Sequence, residues 1–210
     1  MPDRQPVILK SSLVLGGFAL VVAVVLALVN LATADRILAQ QLAAERRALA
    51  EVFPATLHDN DLLADAFTLA TGTAMLELTN DRPGYVATRD GLFAGVILPV
   101  EAHDGYSGDI RLLVGILASG SVTGVRVLEH RETPGLGDKI DIEVDDWILA
   151  FNGRTLGNPP PPRWQVVKDG GEFDQLTGAT VTPRAVVNAV RRALLFFEQN
   201  RALWANRDAD

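Results

Sequence analysis

A chain of 210 residues, 48% of them apolar, is long enough for one domain of ordinary size plus a further apolar segment. Its formal net charge of -7 argues against a nucleic-acid partner, which would want a basic face. The lack of cysteine excludes disulfides, thiolate-held iron–sulfur clusters, c-type haem attachment and cysteinyl flavins, so electrons passing through this chain would need an organic carrier.

Ser11 to Ala34 is an uncharged run of 24 residues dominated by Leu, Val and Ala. As a helix it would reach about 36 Å, enough to cross a hydrocarbon core of about 30 Å. Arg4 and Lys10 precede it, so the positive-inside rule puts residues 1–10 in the cytoplasm. Ala32-Thr33-Ala34 has the form of a signal-peptidase site, but the run exceeds the about 7–15 residues of a signal h-region, which favours a retained anchor over 11–34. Both readings put residues 36–210 on the extracytoplasmic side.

Arg36 to Phe53 reads as a stalk helix with Ile37, Leu38, Leu42, Leu49 and Val52 on an apolar stripe, ended by Pro54. The stalk is taken as residues 35–60. Asp61 to Leu69 is expected to form a second short helix. Leu92–Val100, Ile110–Leu117 and Val122–Leu128 are strand-like, the last two joined by a turn at Ser119-Gly120, and Asp104–Asp109 is a loop. Alternation over Asp138–Asp146 suggests a strand with a solvated acidic face; no glycine-centred calcium loop accompanies it. Asn158–Pro162 is a stiff linker, and Arg163–Lys168 is expected as another strand. Thr182-Pro183 reads as N-cap and first residue of a last helix, whose apolar face is Val186, Val187, Val190, Leu194 and Phe197 and which runs to about Trp204. The fold class is α+β: a single N-terminal transmembrane helix, then one extracytoplasmic domain over 61–210 with an antiparallel sheet and packing helices.

Two segments carry chemistry. In Glu132-Thr133-Pro134-Gly135-Leu136-Gly137-Asp138-Lys139, glycines around a leucine after a proline make a tight turn where backbone approaches a ligand; alone, it is equally a loop after a strand. In Asp174-Gln175-Leu176-Thr177-Gly178-Ala179-Thr180, a glycine and two threonine hydroxyls stand before a helix N-terminus, where unpaired N–H groups suit a phosphate. The bland alternative is that the threonines cap the helix. The histidines His58, His103 and His130 sit in no metal motif and read as surface or hydrogen-bonded residues; no metal site is expected.

Together with the anchor and Gly105-Tyr106-Ser107-Gly108, these segments make the chain resemble the FMN-binding domain family of the Rnf and sodium-pumping NADH:quinone oxidoreductase complexes. Asp174 to Thr180 has the family's D-x-x-[ST]-G-A-[ST] form. Length and spacing are closest to the G subunit of Rnf complexes; the C subunit of the sodium-pumping complex is similar and usually longer. The resemblance implies FMN joined covalently by a phosphoester to Thr180, installed from FAD by a magnesium-dependent flavin transferase. Asp174, Thr177, Gly178 and Ala179 match the rest of that motif. Glu132, Thr133, Gly135, Leu136 and Gly137 match the segment that contacts the flavin, with Lys139 a weaker match. It further implies a relay subunit in the bacterial inner membrane, with iron–sulfur and flavin subunits as partners and electron flow between ferredoxin and NAD coupled to ion movement. No residue is assigned as catalytic. No Rossmann G-x-G-x-x-G is present, so NAD binding is not expected in this chain. The competing readings are the equivalent subunit of the quinone-reducing complex, a cofactor-free anchored scaffold, and a stand-alone flavoreductase; the last lacks an acid, base or metal set.

Overall fold

The structure, a computed structural model, describes residues 5–205. Arg4 lies outside the described residues, as do the side chains of Lys10, Ile37, Leu38 and Leu42, on which part of the anchor and stalk reading falls. Helix α1 runs unbroken over Gln5–Val52. Leu13–Ala34 within it is, among the described residues, the one stretch long and apolar enough to cross a membrane. Its large side chains, including Leu13, Phe18 and Leu26, are exposed to the surroundings, as a lipid-facing helix requires. The chain divides into two compact units between Glu45 and Arg46.

In the second unit α1 ends at Val52; Phe53 still donates its N–H to the Leu49 carbonyl (2.7 Å), and Pro54 stops the helix. Five strands follow: β1 Ala66–Leu69, β2 Arg82–Arg89, β3 Leu92–Ala102, β4 Ile110–Leu117 and β5 Val122–Glu129. They form one sheet in the order β1-β2-β3-β4-β5, every neighbouring pair antiparallel. The three strands expected from sequence are β3, β4 and β5. The β4–β5 turn is the expected one, with Gly120 in left-handed backbone and its N–H on the Leu117 carbonyl (2.8 Å). β2 went unanticipated, although Asp90-Gly91, both at positive φ, is the sequence signal for the hairpin that joins it to β3.

Side chains alternate across this sheet, and both faces are covered. Val96, Leu98 and Val100 of β3 and Leu112, Val114 and Ile116 of β4 point into the main core, with helix α2 (Val181–Gln199). Ile97 and Leu113 point the other way, onto Leu49, Val52 and Phe53 at the end of α1. The expected face of α2 is buried throughout: Val186, Val187, Val190, Leu194 and Phe197. Helix α3 (Arg201–Ala205) follows a break at Asn200 and buries Trp204.

Three expected elements differ. Asp61–Leu69 is a turn followed by β1, because Phe67 packs over Gly84 of β2 and the segment completes the sheet edge. Asp138–Asp146 is not a strand: 3-10 turns occupy Gly137–Ile140 and Asp146–Phe151. Its acids serve the local backbone, Asp141 accepting from the Glu143 N–H (3.0 Å) and Asp145 from the Trp147 N–H (2.9 Å), so the alternation marks turns and caps. Arg163–Lys168 keeps a single bridge, Val166 to Phe173, between 3-10 turns at Pro161–Arg163 and Val167–Asp169. What fixes this irregular stretch is an aromatic cluster of Trp147, Phe151, Trp164 and Phe173 packed into the main core.

Candidate functional site

A cavity of about 560 Å³ opens where four parts of the chain meet at the start of α2. Tyr106 comes from the β3–β4 loop; Glu132, Thr133, Leu136 and Gly137 follow β5; Gly178 to Thr182 and Arg184 belong to the helix start; Lys168 completes the wall.

The first wall is built by a Pro-Gly turn. The N–H groups of Leu136 and Gly137 both donate to the Thr133 carbonyl (3.1 Å each). Pro134 presets its backbone angle and Gly135 takes the left-handed conformation that follows it (φ +78°). Leu136 is thereby left partly exposed at the cavity. Gly137 is glycine for space: a Cβ there would lie 2.7 Å from Glu132 Oε2 and 2.9 Å from Thr182 Oγ1.

The second wall is the turn Leu176–Ala179, closed by the Ala179 N–H on the Leu176 carbonyl (3.0 Å). Gly178 stands at its third position with φ +82°, and a Cβ there would sit 3.0 Å from Leu136 Cδ2. The two motifs of the sequence thus touch at Gly178 and Leu136. Gly178→Ala is expected to lose about 1–2 kcal/mol through backbone strain and this contact, read as a lowered denaturant midpoint with an unchanged slope.

Glu132 ties the walls together. It is only 4% exposed, and its two carboxylate oxygens accept from the Ser107 N–H (3.0 Å) and the Thr182 hydroxyl (2.5 Å). Its own N–H donates to His130 Nδ1 (3.1 Å). The β3–β4 loop, the Pro-Gly turn and α2 are therefore joined through one buried carboxylate.

Helix α2 begins two residues earlier than expected. Thr180 is its N-cap residue, Val181 and Thr182 its first two helical residues, and Pro183 falls third. Proline is tolerated there because N–H groups of the first turn have no intrahelical acceptor. The Thr182 hydroxyl is taken by Glu132, which leaves it no capping role. The Thr180 side chain makes no cap hydrogen bond either. Half-buried at the cavity, it presents a hydroxyl beside the unpaired N–H groups and positive end of a 19-residue helix.

Two cations line the same space. Arg184 is held by Asp169 through two contacts (2.7 and 3.0 Å), and that guanidinium keeps the Asp169 carboxyl below the usual carboxylate range. The charge of Lys168 acts on the same Asp169 carboxylate, as a lesser cause of that lowering. Neither was singled out from sequence. Lys168 lay in the expected strand Arg163–Lys168, and Arg184 falls in the expected last helix, outside its named apolar face; a basic residue within one turn of a phosphate-suited helix start was the available signal.

Of the residues expected at the site, Glu132, Thr133, Leu136, Gly137, Gly178, Ala179 and Thr180 line the cavity. Gly135 shapes the turn without lining it. Thr177 is exposed and does not line the cavity. Asp174 is exposed, and its carbonyl accepts from Trp147 Nε1 (2.8 Å), which anchors the start of the motif to the aromatic cluster. Lys139 is half-buried and does not line the cavity.

A cavity with apolar side chains at its mouth (Tyr106, Leu136, Val181), two cations and a helix N-terminus suits a ligand with a flat apolar body and an anionic phosphate. Two family models match the chain: an FMN-binding domain over residues 105–195 and an RnfG N-terminal region over residues 1–52. Among curated proteins, the G subunit of the ion-translocating oxidoreductase complex of Shewanella amazonensis is 44% identical over 97% of this chain and 94% of its own length. Its counterpart in Pseudomonas aeruginosa is 49% identical over 92% of this chain and 90% of its own. Among solved structures, NqrC of Shewanella oneidensis is similar at a TM-score of 0.48 and 23% identity, covering 70% of this chain and 74% of that one.

Proposed function

This chain belongs to the family formed by the G subunit of the ion-translocating oxidoreductase complex, and from that premise we propose that it is an electron-relay subunit carrying FMN esterified through its phosphate to Oγ1 of Thr180. The observation that carries the reading is the hydroxyl of Thr180, uncommitted to capping, on the wall of a cavity at a helix N-terminus. In the attachment step, Oγ1 of Thr180 bonds to the flavin-side phosphorus of FAD. The pyrophosphate P–O bond breaks, AMP leaves, and the hydroxyl proton is released. A separate magnesium-dependent flavin transferase is the agent of this step.

The chain's own residues then hold the group. The N–H groups at the start of α2 and the cations Lys168 and Arg184 favour the phosphodiester charge. Tyr106, Leu136 and Val181 offer apolar surface to a ring system. Glu132 keeps these walls in register. Bound there, FMN supplies electron transfer in single or paired steps. A tether suits a domain outside the cytoplasm, because a weakly held cofactor at low free concentration is lost by mass action. Residues 11–34 would anchor the chain in the inner membrane and 61–210 hold the flavin, with 35–60 as the stalk whose end, at Leu49, Val52 and Phe53, packs on the sheet, and with other subunits of the complex, of the Rnf type, as electron partners.

Peptide mass spectrometry on the chain isolated from its own membrane tests this. The expected result is a gain equal to FMN less one water on the peptide containing Thr180, with flavin absorbance that survives denaturation. A native protein without that mass would sink the proposal.

A further inference from the structure

Outside the cavity, the described residues hold one histidine whose two ring nitrogens both face acceptors. His103 stands directly after β3. Its Nδ1 lies 2.9 Å from Asp109 Oδ1 and its Nε2 lies 2.8 Å from the carbonyl oxygen of Glu77. A neutral imidazole has one N–H and can donate to only one of them; the imidazolium serves both.

The two acceptors belong to different parts of the fold. Glu77, in left-handed backbone at φ 52°, sits in a loop pinned by Arg192 of α2, which donates to the Met75 carbonyl (3.1 Å) and pairs with the Glu77 carboxylate (2.8 Å). Asp109 closes the loop 104–109, which carries Tyr106 to the cavity and gives the Ser107 N–H to Glu132. The ring therefore fastens the loop that forms one cavity wall to a fixed part of the domain.

The geometry points to His103, in its imidazolium form, as the positioning residue that holds the Tyr106–Ser107 wall of the flavin cavity through Asp109. This rests on the flavin reading of the cavity given above.

The charges facing the ring favour the proton. Asp109 is in contact, and Glu101 of β3 acts from further away; Arg82 of β2 and Arg111 of β4 lie beside Glu101 (3.6 Å each), and the Glu77 carboxylate is turned to Arg192. The hydrogen bond to Asp109 lifts the imidazole above its ordinary value, partial burial opposes this, and the Glu77 carbonyl and the charges of Asp109 and Glu101 add to the rise. A raised folded value means the stability contributed by the clasp is fully present below about pH 6.5 and is lost as pH rises through that raised value.

The test is an NMR pH titration of the detergent-solubilised full chain, following the His103 ring and the Ser107 amide. It is run first without flavin, so a failure to find covalent flavin cannot be confused with a failure of the clasp. The expected result is one shared midpoint above about pH 6.5 for both signals. In His103→Gln and in Asp109→Asn, the Ser107 step should vanish while the remaining amide spectrum is kept. On the flavin-carrying chain, flavin emission should step at the same pH in the wild type and stay flat in both variants. A His103 midpoint at or below the ordinary value, or a Ser107 step that survives in His103→Gln, overturns the proposal. Flat wild-type emission beside a real Ser107 step overturns its reach into the flavin site.

Discussion

Thr180→Val is expected to abolish the covalent flavin completely while leaving the domain folded. Valine matches the shape of threonine and removes only the hydroxyl, the atom proposed to bond phosphorus. The fold should tolerate this, because that hydroxyl caps nothing: the Thr180 side chain makes no hydrogen bond to the first turn of α2. Loss of an N-cap hydrogen bond ordinarily costs about 1 kcal/mol, and here there is none to lose. The denaturation midpoint should therefore stay within about 0.5 kcal/mol of wild type, as for a surface change. Thr180→Ser keeps a hydroxyl at the same backbone position and should keep the flavin. Intact and peptide masses after expression with a flavin transferase check all three chains. Flavin mass persisting on the same peptide in Thr180→Val would move the attachment to another residue.

Glu132→Ala should produce the largest loss of stability of any single change at the site, about 2–4 kcal/mol. The effect comes from the donors left behind. Glu132 is nearly inaccessible, and its removal strands the Ser107 N–H and the Thr182 hydroxyl, one from each wall. Water could reach them only by opening the junction that shapes the cavity. Glu132→Gln should cost about 1 kcal/mol, since its amide oxygen still accepts and the Thr182 hydroxyl can turn to accept from its NH2. Denaturant unfolding gives the ordering wild type, Gln, Ala. Flavin content should follow the same ordering, because the wall residues Tyr106, Leu136 and Thr182 are placed through Glu132. Equal stability of the Ala variant and wild type would remove Glu132 from its junction role.

Much of the architecture was readable from local pattern. The apolar run from Ser11 to Ala34, the strands β3 to β5 and the apolar face of α2 each announce themselves within a few residues, because burial imposes its period on a contiguous stretch. The two motifs were readable for a related reason: Gly135 and Gly178 answer a local backbone requirement at tight turns. Segments fixed by distant partners were misread. Asp138–Asp146 alternates like a strand and Arg163–Lys168 is expected as another, yet Trp147, Phe151, Trp164 and Phe173 fix their path by packing with one another.

The sequence by itself determined the class of protein, the single apolar span and the Thr180 motif with its likeness to FMN-binding domains, since each is written in neighbouring residues. Tertiary structure alone decided what surrounds Thr180. Glu132 reaches Thr182 across 50 positions, Ser107 reaches Glu132 across 25, and Lys168 and Arg184 join the same cavity from separate elements. It also left the Thr180 hydroxyl without a cap bond although Thr180 is the N-cap residue of α2, and it committed the Thr182 hydroxyl to Glu132. No periodicity encodes such contacts, because they arise only when the folded sheet brings its loops together at one end of a helix.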